Sequence, residues 1–449
     1  METILIKDAT VVNENRLQEA DVLIRSGRIE HIGQGIACPG ARIVNAAGLH
    51  LLPGLIDDQV HFRDPGGEAK ADIESESRAA VAGGTTSFMD MPNTNPQTVT
   101  IEAWEKKMQR AAAVSVANYG FFLGGTNDNS EEVRRLDPLR CPGLKIFMGS
   151  STGNMLVDRE EALDTLFSIA PALIAVHCED SRIISANEQK AREQYGEDVP
   201  VAMHPLIRSR EACFASSRLA ADLALRHCAS LHILHVSTAE EVALLKEINR
   251  DLPPGQRRIT GEACLPHLMF TDEDYTALGT LIKCNPAVKT AADRKALLQG
   301  LRDHVLDIIA TDHAPHLLEE KRRTYFRAPS GIPMCQHTLC ALLELFHEGE
   351  LSLEDIVNAT SHNVARRYGI DERGFIREGY HADLVLADLR GTTRVTEDGV
   401  LHKCRWTPFT GRTFRSRIVM TLVNGHIAFE NGCLSPGRAM ALTFGNRSK

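Results

Sequence analysis

Residues 51–63 read LLPGLIDDQVHFR, an apolar run that passes into a group of polar residues. The apolar part, residues 51–56, predicts a buried strand. The carboxyl end of that strand would present His61 and Arg63 to a functional site. The same arrangement recurs along the chain, and its recurrence predicts the fold.

Eight short apolar runs alternate with helical segments between residues 50 and 320. The predicted strands are 55–57, 86–91, 116–124, 143–149, 172–179, 230–237, 260–266 and 306–314. The segments 101–114, 160–170, 211–227 and 239–250 carry apolar residues at helical spacing. This alternation predicts an α/β fold of the (β/α)8 TIM-barrel type, in which chemistry occurs at the carboxyl ends of the strands.

The two ends of the chain differ from its middle. Residues 2–45 and 383–430 contain short apolar runs of strand type, with hairpin turns at Ser26-Gly27 and Asn424-Gly425. Neither end is long enough to form a stable domain alone. We therefore expect the two ends to pair into one small β-sandwich beside the barrel.

The predicted domain boundaries follow from this pairing. Residues 1–52 and 380–449 would form the composite sandwich, and residues 53–379 would form the barrel. The segment 381–388, HADLVLAD, would be the strand that returns the chain to the sandwich.

Composition excludes several classes of protein. The net charge of -9 comes with no long run of Lys and Arg, so nothing supports binding to nucleic acid or to an anionic membrane. No apolar stretch reaches the roughly 18 residues that span a bilayer, and no signal peptide is evident. The 11 cysteines are scattered without a CxxC pair, which argues against a disulfide framework. The sequence predicts a cytoplasmic protein whose partners are small molecules and copies of itself.

Four polar residues interrupt predicted strands where a plain core would have Val or Ile. They are Lys145, His177, His235 and Asp312. A single buried histidine is most often a hydrogen-bonded core residue, but burying an isolated charge costs several kcal/mol. Four such residues on separate strands, with His61 on a fifth, indicate a shared site.

The residue types indicate hydrolytic metal chemistry. Neutral imidazoles and an aspartate suit zinc, which lowers the pKa of a bound water to about 7. Lys145 fits such a site if its amine has reacted with carbon dioxide to form an anionic carbamate that bridges two ions. A desolvated lysine with a lowered pKa reacts in this way, whereas a lysine whose head reaches solvent does not.

Longer strings of sequence carry a family resemblance. They are HFRDPG at 61–66, MPNTNP at 91–96, KIFMG at 145–149 and TDHAPH at 311–316. Over residues 53–388 the chain resembles the amidohydrolase superfamily, and within it the longer, class I type of dihydroorotase.

The resemblance implies a set of metal ligands. His61 and Asp312 correspond to ligands of one metal, His177 and His235 to ligands of a second, and Lys145 to the carboxylated bridge. The implied cofactor is Zn²⁺, one or two ions per subunit. The family also implies a homo-oligomer, a dimer or a tetramer.

The substrate contacts separate the subfamilies. Arg63 lies two residues past His61 and would hold a carboxylate with a bidentate fork, which favours dihydroorotate over a hydantoin or allantoin. By the resemblance, Asn93 and His316 contact the same carboxylate, and Asn285 and Gly331 meet the amide edge of the ring.

The implied function is the reversible hydrolysis of (S)-dihydroorotate to N-carbamoyl-L-aspartate in de novo pyrimidine (UMP) biosynthesis. A metal-bound hydroxide would attack the ring amide carbon. Asp312 would act as general acid and base, taking the proton of the nucleophile and returning it to the departing nitrogen.

Gln59 departs from the family pattern, which has a histidine there. An amide carbonyl is a weaker zinc ligand than imidazole, so the metal held by His61 and Asp312 should be the labile one. Asp58 points to the opposite face of an extended strand. The alternatives are a one-metal enzyme, a non-catalytic dihydroorotase-like scaffold subunit, or another cyclic amidase such as allantoinase. We expect an active enzyme because four other residues of the pattern are present, namely Arg63, Asn93, Lys145 and Asp312.

Overall fold

The computed structural model describes residues 2–149, 155–435, 437 and 439–445. In this part of the chain the strands are β1 (Ile4–Asn13), β2 (Arg16–Arg25), β3 (Arg28–Gly33), β4 (Arg42–Asn45), β5 (His50–Pro53), β6 (Leu55–Val60), β7 (Thr85–Asp90), β8 (Asn118–Phe121), β9 (Leu123–Gly124), β10 (Gly143–Phe147), β11 (Leu173–His177), β12 (Leu231–Ile233), β13 (Ile259–Cys264), β14 (Ile308–Ala310), β15 (Leu384–Asp388), β16 (Thr393–Arg394), β17 (Thr413–Phe414), β18 (Arg417–Val423), β19 (His426–Glu430) and β20 (Cys433–Leu434).

The α-helices of the same part are α1 (Ile73–Ala82), α2 (Ile101–Val114), α3 (Ser130–Arg134), α4 (Glu160–Ile169), α5 (Ser181–Tyr195), α6 (His204–Ile207), α7 (Arg210–His227), α8 (Ala239–Ile248), α9 (Leu265–Met269), α10 (Tyr275–Leu278), α11 (Ala291–Arg302), α12 (Leu318–Lys321), α13 (Thr338–His347), α14 (Leu353–Val357) and α15 (Asn363–Tyr368). None of these helices combines the length and the apolar character that a membrane crossing needs.

The middle of the chain forms the predicted (β/α)8 barrel. Strands β6 to β8 form one parallel sheet and strands β9 to β14 a second. Because only Phe122 separates β8 from β9, these two strands fill one barrel position. The barrel closes where the His61 N–H donates to the His313 carbonyl at 2.7 Å. All eight predicted strands are confirmed as barrel strands.

Burial and capping explain why these segments adopt their structures. Every residue of β6, β7, β10, β11 and β13 is buried, as expected for a parallel sheet covered by helices. Helix α2 begins after Thr100, whose hydroxyl accepts the Ala103 N–H at 3.1 Å. The Trp104 Nε1 donates to Phe121 O at 2.7 Å and ties α2 to the barrel. The predicted helix 101–114 agrees with α2.

The two chain ends pair as predicted. One sheet has the strand order β20-β19-β18-β15-β5-β1-β2-β3, with β4 beside β1. The turns at Ser26-Gly27 and Asn424-Gly425 have positive φ at both residues, as the predicted hairpins require. Strand β15 pairs with β5 and β18, so it returns the chain to this sheet. The fold is a TIM barrel with a β-sandwich, and the boundaries at residues 52 and 380 stay predictions.

Candidate active site

A cavity lies at the carboxyl ends of the barrel strands. It is lined by Gln59, His61, Arg63, Asn93, Lys145, Phe147, His177, His235, Asn285, Asp312, Ala314, Ser330 and Gly331. Ten of the eleven residues predicted from the sequence are among them. The eleventh, His316, is not in the lining. Phe147, Ala314 and Ser330 line the cavity without having been predicted.

Three of the lining residues have a strained backbone. The φ angles of Arg63, His235 and Asp312 are 63°, 40° and 46°, in the left-handed region that favours glycine. Each such residue costs of order 1–3 kcal/mol and persists only where the surroundings hold it. The three residues follow different barrel strands, so three of the loops that line the cavity carry such a residue.

His61 is oriented from both sides of its ring. Its Nδ1 lies 2.7 Å from the Asn93 amide oxygen, which accepts a hydrogen bond, so Nδ1 carries the proton. The lone pair of Nε2 then faces Asp312 Oδ1 at 3.1 Å. A histidine whose other nitrogen is fixed in this way is prepared to bind a metal.

Gln59 turns its amide nitrogen toward Asp312. Its Nε2 donates to Asp312 Oδ1 at 3.3 Å, and its Oε1 accepts from the Cys264 thiol at 3.3 Å. The only ligand atom of the amide is therefore engaged with Cys264, which the sequence did not indicate as part of the site. This orientation argues against Gln59 as a metal ligand.

Asp57, two residues before Gln59, joins the first and last barrel strands. Its Oδ2 accepts the Thr311 hydroxyl at 2.5 Å, and its Oδ1 accepts the Thr311 N–H at 3.2 Å. Burial raises the pKa of Asp57 to about 7. The carboxyl group fixes the strand that carries Asp312 against the strand that carries His61.

His177 and His235 form the other half of the cavity. His177 Nδ1 lies 2.9 Å from His235 Nε2, and both rings are buried. Burial lowers the pKa of both imidazoles, so both are neutral at pH 7. On its far side, His177 Nε2 lies 3.2 Å from Glu179 Oε2, and Glu179 also pairs with Arg208.

Glu179 is a neighbour of the cavity that the sequence did not indicate. Although burial opposes its charge, Arg208 and His177 lower the pKa of Glu179 to about 2. A carboxylate at this position fixes the tautomer of a histidine ligand. The sequence could have indicated Glu179 through its position, two residues after His177 at the end of the strand.

Lys145 lies between the two halves with its amine buried. The residue is 1% exposed, and its Nζ has no hydrogen-bond partner among the described residues. The Nζ lies 4.6 Å from the centre of the Phe147 ring. Burial lowers the pKa of Lys145 to about 7, so a large fraction is the free amine at neutral pH. A carbamate forms from such an amine.

These donors fit a divalent ion. The lone pair of His61 Nε2 and the carboxylate of Asp312 meet on one side, and the two neutral imidazoles meet on the other. Such a nitrogen and oxygen set suits zinc. The orphaned amine of Lys145 would become a satisfied anionic ligand if it were carboxylated.

Arg63 brings a positive charge to the cavity. Its Nε donates to Pro315 O at 3.2 Å, and its Nη2 lies 3.2 Å from His316 Nε2. Both of these neighbours are uncharged groups. Burial lowers the pKa of Arg63 to about 10, which leaves the guanidinium charged at pH 7. The site therefore offers a cation to an anionic ligand.

His316 lies behind Arg63. Burial first, and then the neighbouring cations Arg63, Lys321 and Lys70, lower its pKa well below the usual range, so the ring is neutral. Lys70 Nζ donates to Nδ1 at 3.2 Å, and Nε2 contacts Ser330 O at 3.0 Å. Because Nδ1 accepts from Lys70, Nε2 carries the proton and donates to Ser330 O, so His316 lies against Arg63 without accepting a hydrogen bond from it. The predicted contact of His316 with substrate stays a prediction.

Asn285 and Gly331 lie on the remaining wall. The Asn285 Oδ1 is buried and has no hydrogen-bond partner within the part of the chain that the structure covers. Gly331 has a φ of 140°, and a Cβ there would lie 2.4 Å from Ala314 O. Only glycine fits, so the wall at this point is backbone.

Comparisons with known proteins agree with this geometry. The model of the amidohydrolase family matches residues 50–428. A dihydroorotase of Halobacterium salinarum is 34% identical over 436 residues, which are 96% of this chain and 97% of that protein. A dihydroorotase of Bacillus subtilis is 32% identical over 444 residues, 96% of this chain and 99% of that protein.

Two solved structures share the fold over the whole length. An L-hydantoinase (dihydropyrimidinase) from Arthrobacter aurescens has a TM-score of 0.93 and 25% identity, covering 99% of this chain and 100% of its own. A dihydropyrimidinase from Brevibacillus agri has a TM-score of 0.90 and 25% identity, covering 100% of both chains.

Proposed function

The chain belongs to the amidohydrolase family and resembles its dihydroorotases, and we propose that it catalyses the reversible hydrolysis of (S)-dihydroorotate to N-carbamoyl-L-aspartate. It is a cyclic amide hydrolase by family. The specific substrate is the proposal, and it rests on the charge of the cavity.

The choice of dihydroorotate as the substrate rests on Arg63. It is a charged guanidinium at the cavity whose contacts are a carbonyl and a neutral imidazole. The guanidinium is half-buried, and a substrate carboxylate would bind it through paired hydrogen bonds. Dihydroorotate has a carboxylate, which a simple hydantoin lacks.

The side chains of the cavity have separate roles in the proposed reaction. A divalent ion bound by His61, Asp312, His177 and His235 would supply Lewis acidity and a water that is acidic at neutral pH. Asp312 would take the proton of the attacking water and return it to the departing ring nitrogen. Arg63 would hold the substrate carboxylate, and the amide edge of the ring would meet Asn285 and Gly331.

We propose zinc as the ion, at one or two per chain, with Lys145 carboxylated. The neutral imidazoles and the buried, unsatisfied amine support this assignment. A place in de novo pyrimidine (UMP) synthesis follows if the substrate is dihydroorotate. The cytoplasmic location and the homo-oligomeric state stay predictions from the sequence.

The test compares two substrates in two variants. Replacing Arg63 by Met should lower kcat/KM for dihydroorotate about 10²- to 10³-fold, because hydrogen bonds between charged groups are lost. Hydrolysis of an uncharged hydantoin, if the wild type has any, should change little. Arg110→Met is the matched control, since Arg110 pairs with Asp64 and does not line the cavity.

Two outcomes would contradict the proposal. Wild-type protein with a full complement of zinc and no turnover of dihydroorotate would identify a non-catalytic scaffold instead. Turnover of hydantoin or allantoin that exceeds turnover of dihydroorotate would identify a different cyclic amidase. The likeness to the Arthrobacter hydantoinase fold favours this second candidate over the scaffold.

A further inference from the structure

A second cluster of ligand-type side chains lies beneath the cavity. It consists of Asp58, His232 and Glu262, each 0% exposed. His232 Nε2 lies 3.1 Å from Glu262 Oε2 and 3.6 Å from Asp58 Oδ2. These residues belong to β6, β12 and β13, and β6 is not a neighbour of the other two strands in the sheets. The cluster therefore joins β6 to strands that are not adjacent to it in the barrel.

The proton of His232 lies on the side away from the carboxylates. Burial lowers the pKa of His232 to about 4, so the ring is neutral and carries one proton. The Thr260 hydroxyl donates to Leu231 O at 3.4 Å, so its oxygen accepts from His232 Nδ1 at 2.8 Å. The lone pair of Nε2 then faces Glu262 and Asp58.

The lone pair of His232 Nε2 and the carboxyl oxygens of Glu262 and Asp58 therefore converge, with no N–H group between them. The Tyr368 hydroxyl donates to Asp58 Oδ2 at 2.9 Å, while Asp58 Oδ1 is buried with no hydrogen-bond partner among the described residues. Burial, and then the charge of Glu262, raise the pKa of Asp58 well above its usual range. The three ligand-type atoms therefore meet where solvent does not reach them.

The distances suit a metal ion. A tetrahedral zinc with ligands at about 2.0–2.1 Å places neighbouring ligand atoms about 3.3 Å apart. The separations of 3.1 and 3.6 Å lie on either side of that length. Two carboxylates and one neutral imidazole also balance the charge of a divalent ion.

A cluster of similar composition elsewhere shows the opposite arrangement. Glu76, His313, Cys335 and His402 are also buried together. There, His313 Nδ1 accepts the Met334 N–H at 3.0 Å, so the proton sits on Nε2, which faces Glu76 Oε2 at 3.0 Å. A protonated nitrogen cannot bind a metal, and this cluster is a hydrogen-bond network.

We propose that Asp58, His232 and Glu262 bind a divalent transition-metal cation at a site separate from the active-site metals. This site does not depend on the identity of the substrate. Its position gives it a structural role, because Glu262 Oε1 accepts the His235 N–H at 3.1 Å and the Cys264 thiol at 3.5 Å. The cation would hold the backbone of His235 from below.

Anomalous diffraction from the wild-type protein tests the site directly. Since the site is closed to solvent, the protein should be expressed and purified with Zn²⁺ rather than soaked. At the zinc edge we expect a peak surrounded by Asp58, His232 and Glu262, in addition to peaks in the cavity. Peaks in the cavity alone would overturn the proposal.

Metal counting in variants gives a second, independent test. Asp58→Asn keeps the size of the side chain and an acceptor for Tyr368 but removes a charge, so the variant should hold one zinc fewer per chain. Glu76→Gln is the matched control in the hydrogen-bond cluster and should hold as much zinc as the wild type. His232→Gln replaces Asp58→Asn if that variant does not fold. Equal zinc content in all of these proteins would contradict the site.

Discussion

The two halves of the active-site cavity offer different ligand groups to a metal. On one side, two neutral imidazoles face each other at 2.9 Å, and Glu179 fixes the first of them. On the other side, Asp312 Oδ1 is contacted by His61 at 3.1 Å and by the amide nitrogen of Gln59 at 3.3 Å. The second half offers one imidazole fewer, and its glutamine presents a hydrogen where a metal needs a lone pair.

The difference shows how one residue, Gln59, makes the two metal-binding halves of the cavity unequal. Both halves lie at strand ends. His61 and Asp312 are 9% and 7% exposed, against 1% and 2% for His177 and His235, so exposure does not distinguish the halves strongly. The kind of donor does, since imidazole is a stronger zinc ligand than an amide. We therefore expect the half with His177 and His235 to bind metal tightly and the half with Asp312 to carry the proton transfer.

The largest fall in activity should follow from removing the Asp312 carboxylate, in the half that we expect to bind metal less tightly. Asp312→Asn removes both a ligand and the proposed general acid and base, so kcat should fall about 10⁴-fold. Asp307→Asn is the control, because Asp307 precedes the same strand β14 at its other end and pairs with Arg257. Steady-state assays of dihydroorotate hydrolysis would measure both. An Asp312→Asn enzyme that keeps a tenth of the wild-type kcat would exclude Asp312 from proton transfer.

A smaller effect, on zinc affinity, should follow from a change beside His177, in the half that we expect to bind metal more tightly. Glu179→Gln leaves His177 in place but removes the carboxylate that fixes its tautomer. Loss of such a partner lowers metal affinity about 10–100-fold. Competition of zinc with a chelator would measure the change, and Glu193→Gln on the exposed face of α5 is the control. If Glu179→Gln bound zinc as the wild type does, the asymmetry would not depend on the surroundings of His177.

The barrel could be predicted because its strands are buried on both faces. Runs such as 143–147 are apolar throughout except for the one residue with a chemical role, Lys145. The helix 101–114 could be predicted from its apolar spacing alone, and in the structure it starts after the capping residue Thr100. The chain ends were predicted through their hairpin turns, in which Ser-Gly and Asn-Gly adopt positive φ.

The residues behind the site could not be predicted in the same way. Cys264 contacts Gln59 and His232 contacts Asp58 from other strands of the barrel, and these contacts depend on strand register rather than on sequence spacing. Glu179, in contrast, contacts His177 from two residues along the chain. Asp58 illustrates the dependence on register. The register of β6 against β7 shifts between Asp57 and Val60, and Asp58 lies inside the barrel beside His232. Alternation along a regular strand does not predict this contact.

The smallest change in zinc affinity should come from placing a histidine at position 59, where the family pattern has one. Gln59→His replaces an amide that donates to Asp312 with an imidazole that binds metal, so the second zinc should bind at least about tenfold more tightly. Gln189→His on an exposed helix is the control for an added surface histidine. Stepwise zinc titration would resolve the two affinities. If they stay as far apart in Gln59→His as in the wild type, the asymmetry arises from Asp312 and Lys145 rather than from Gln59.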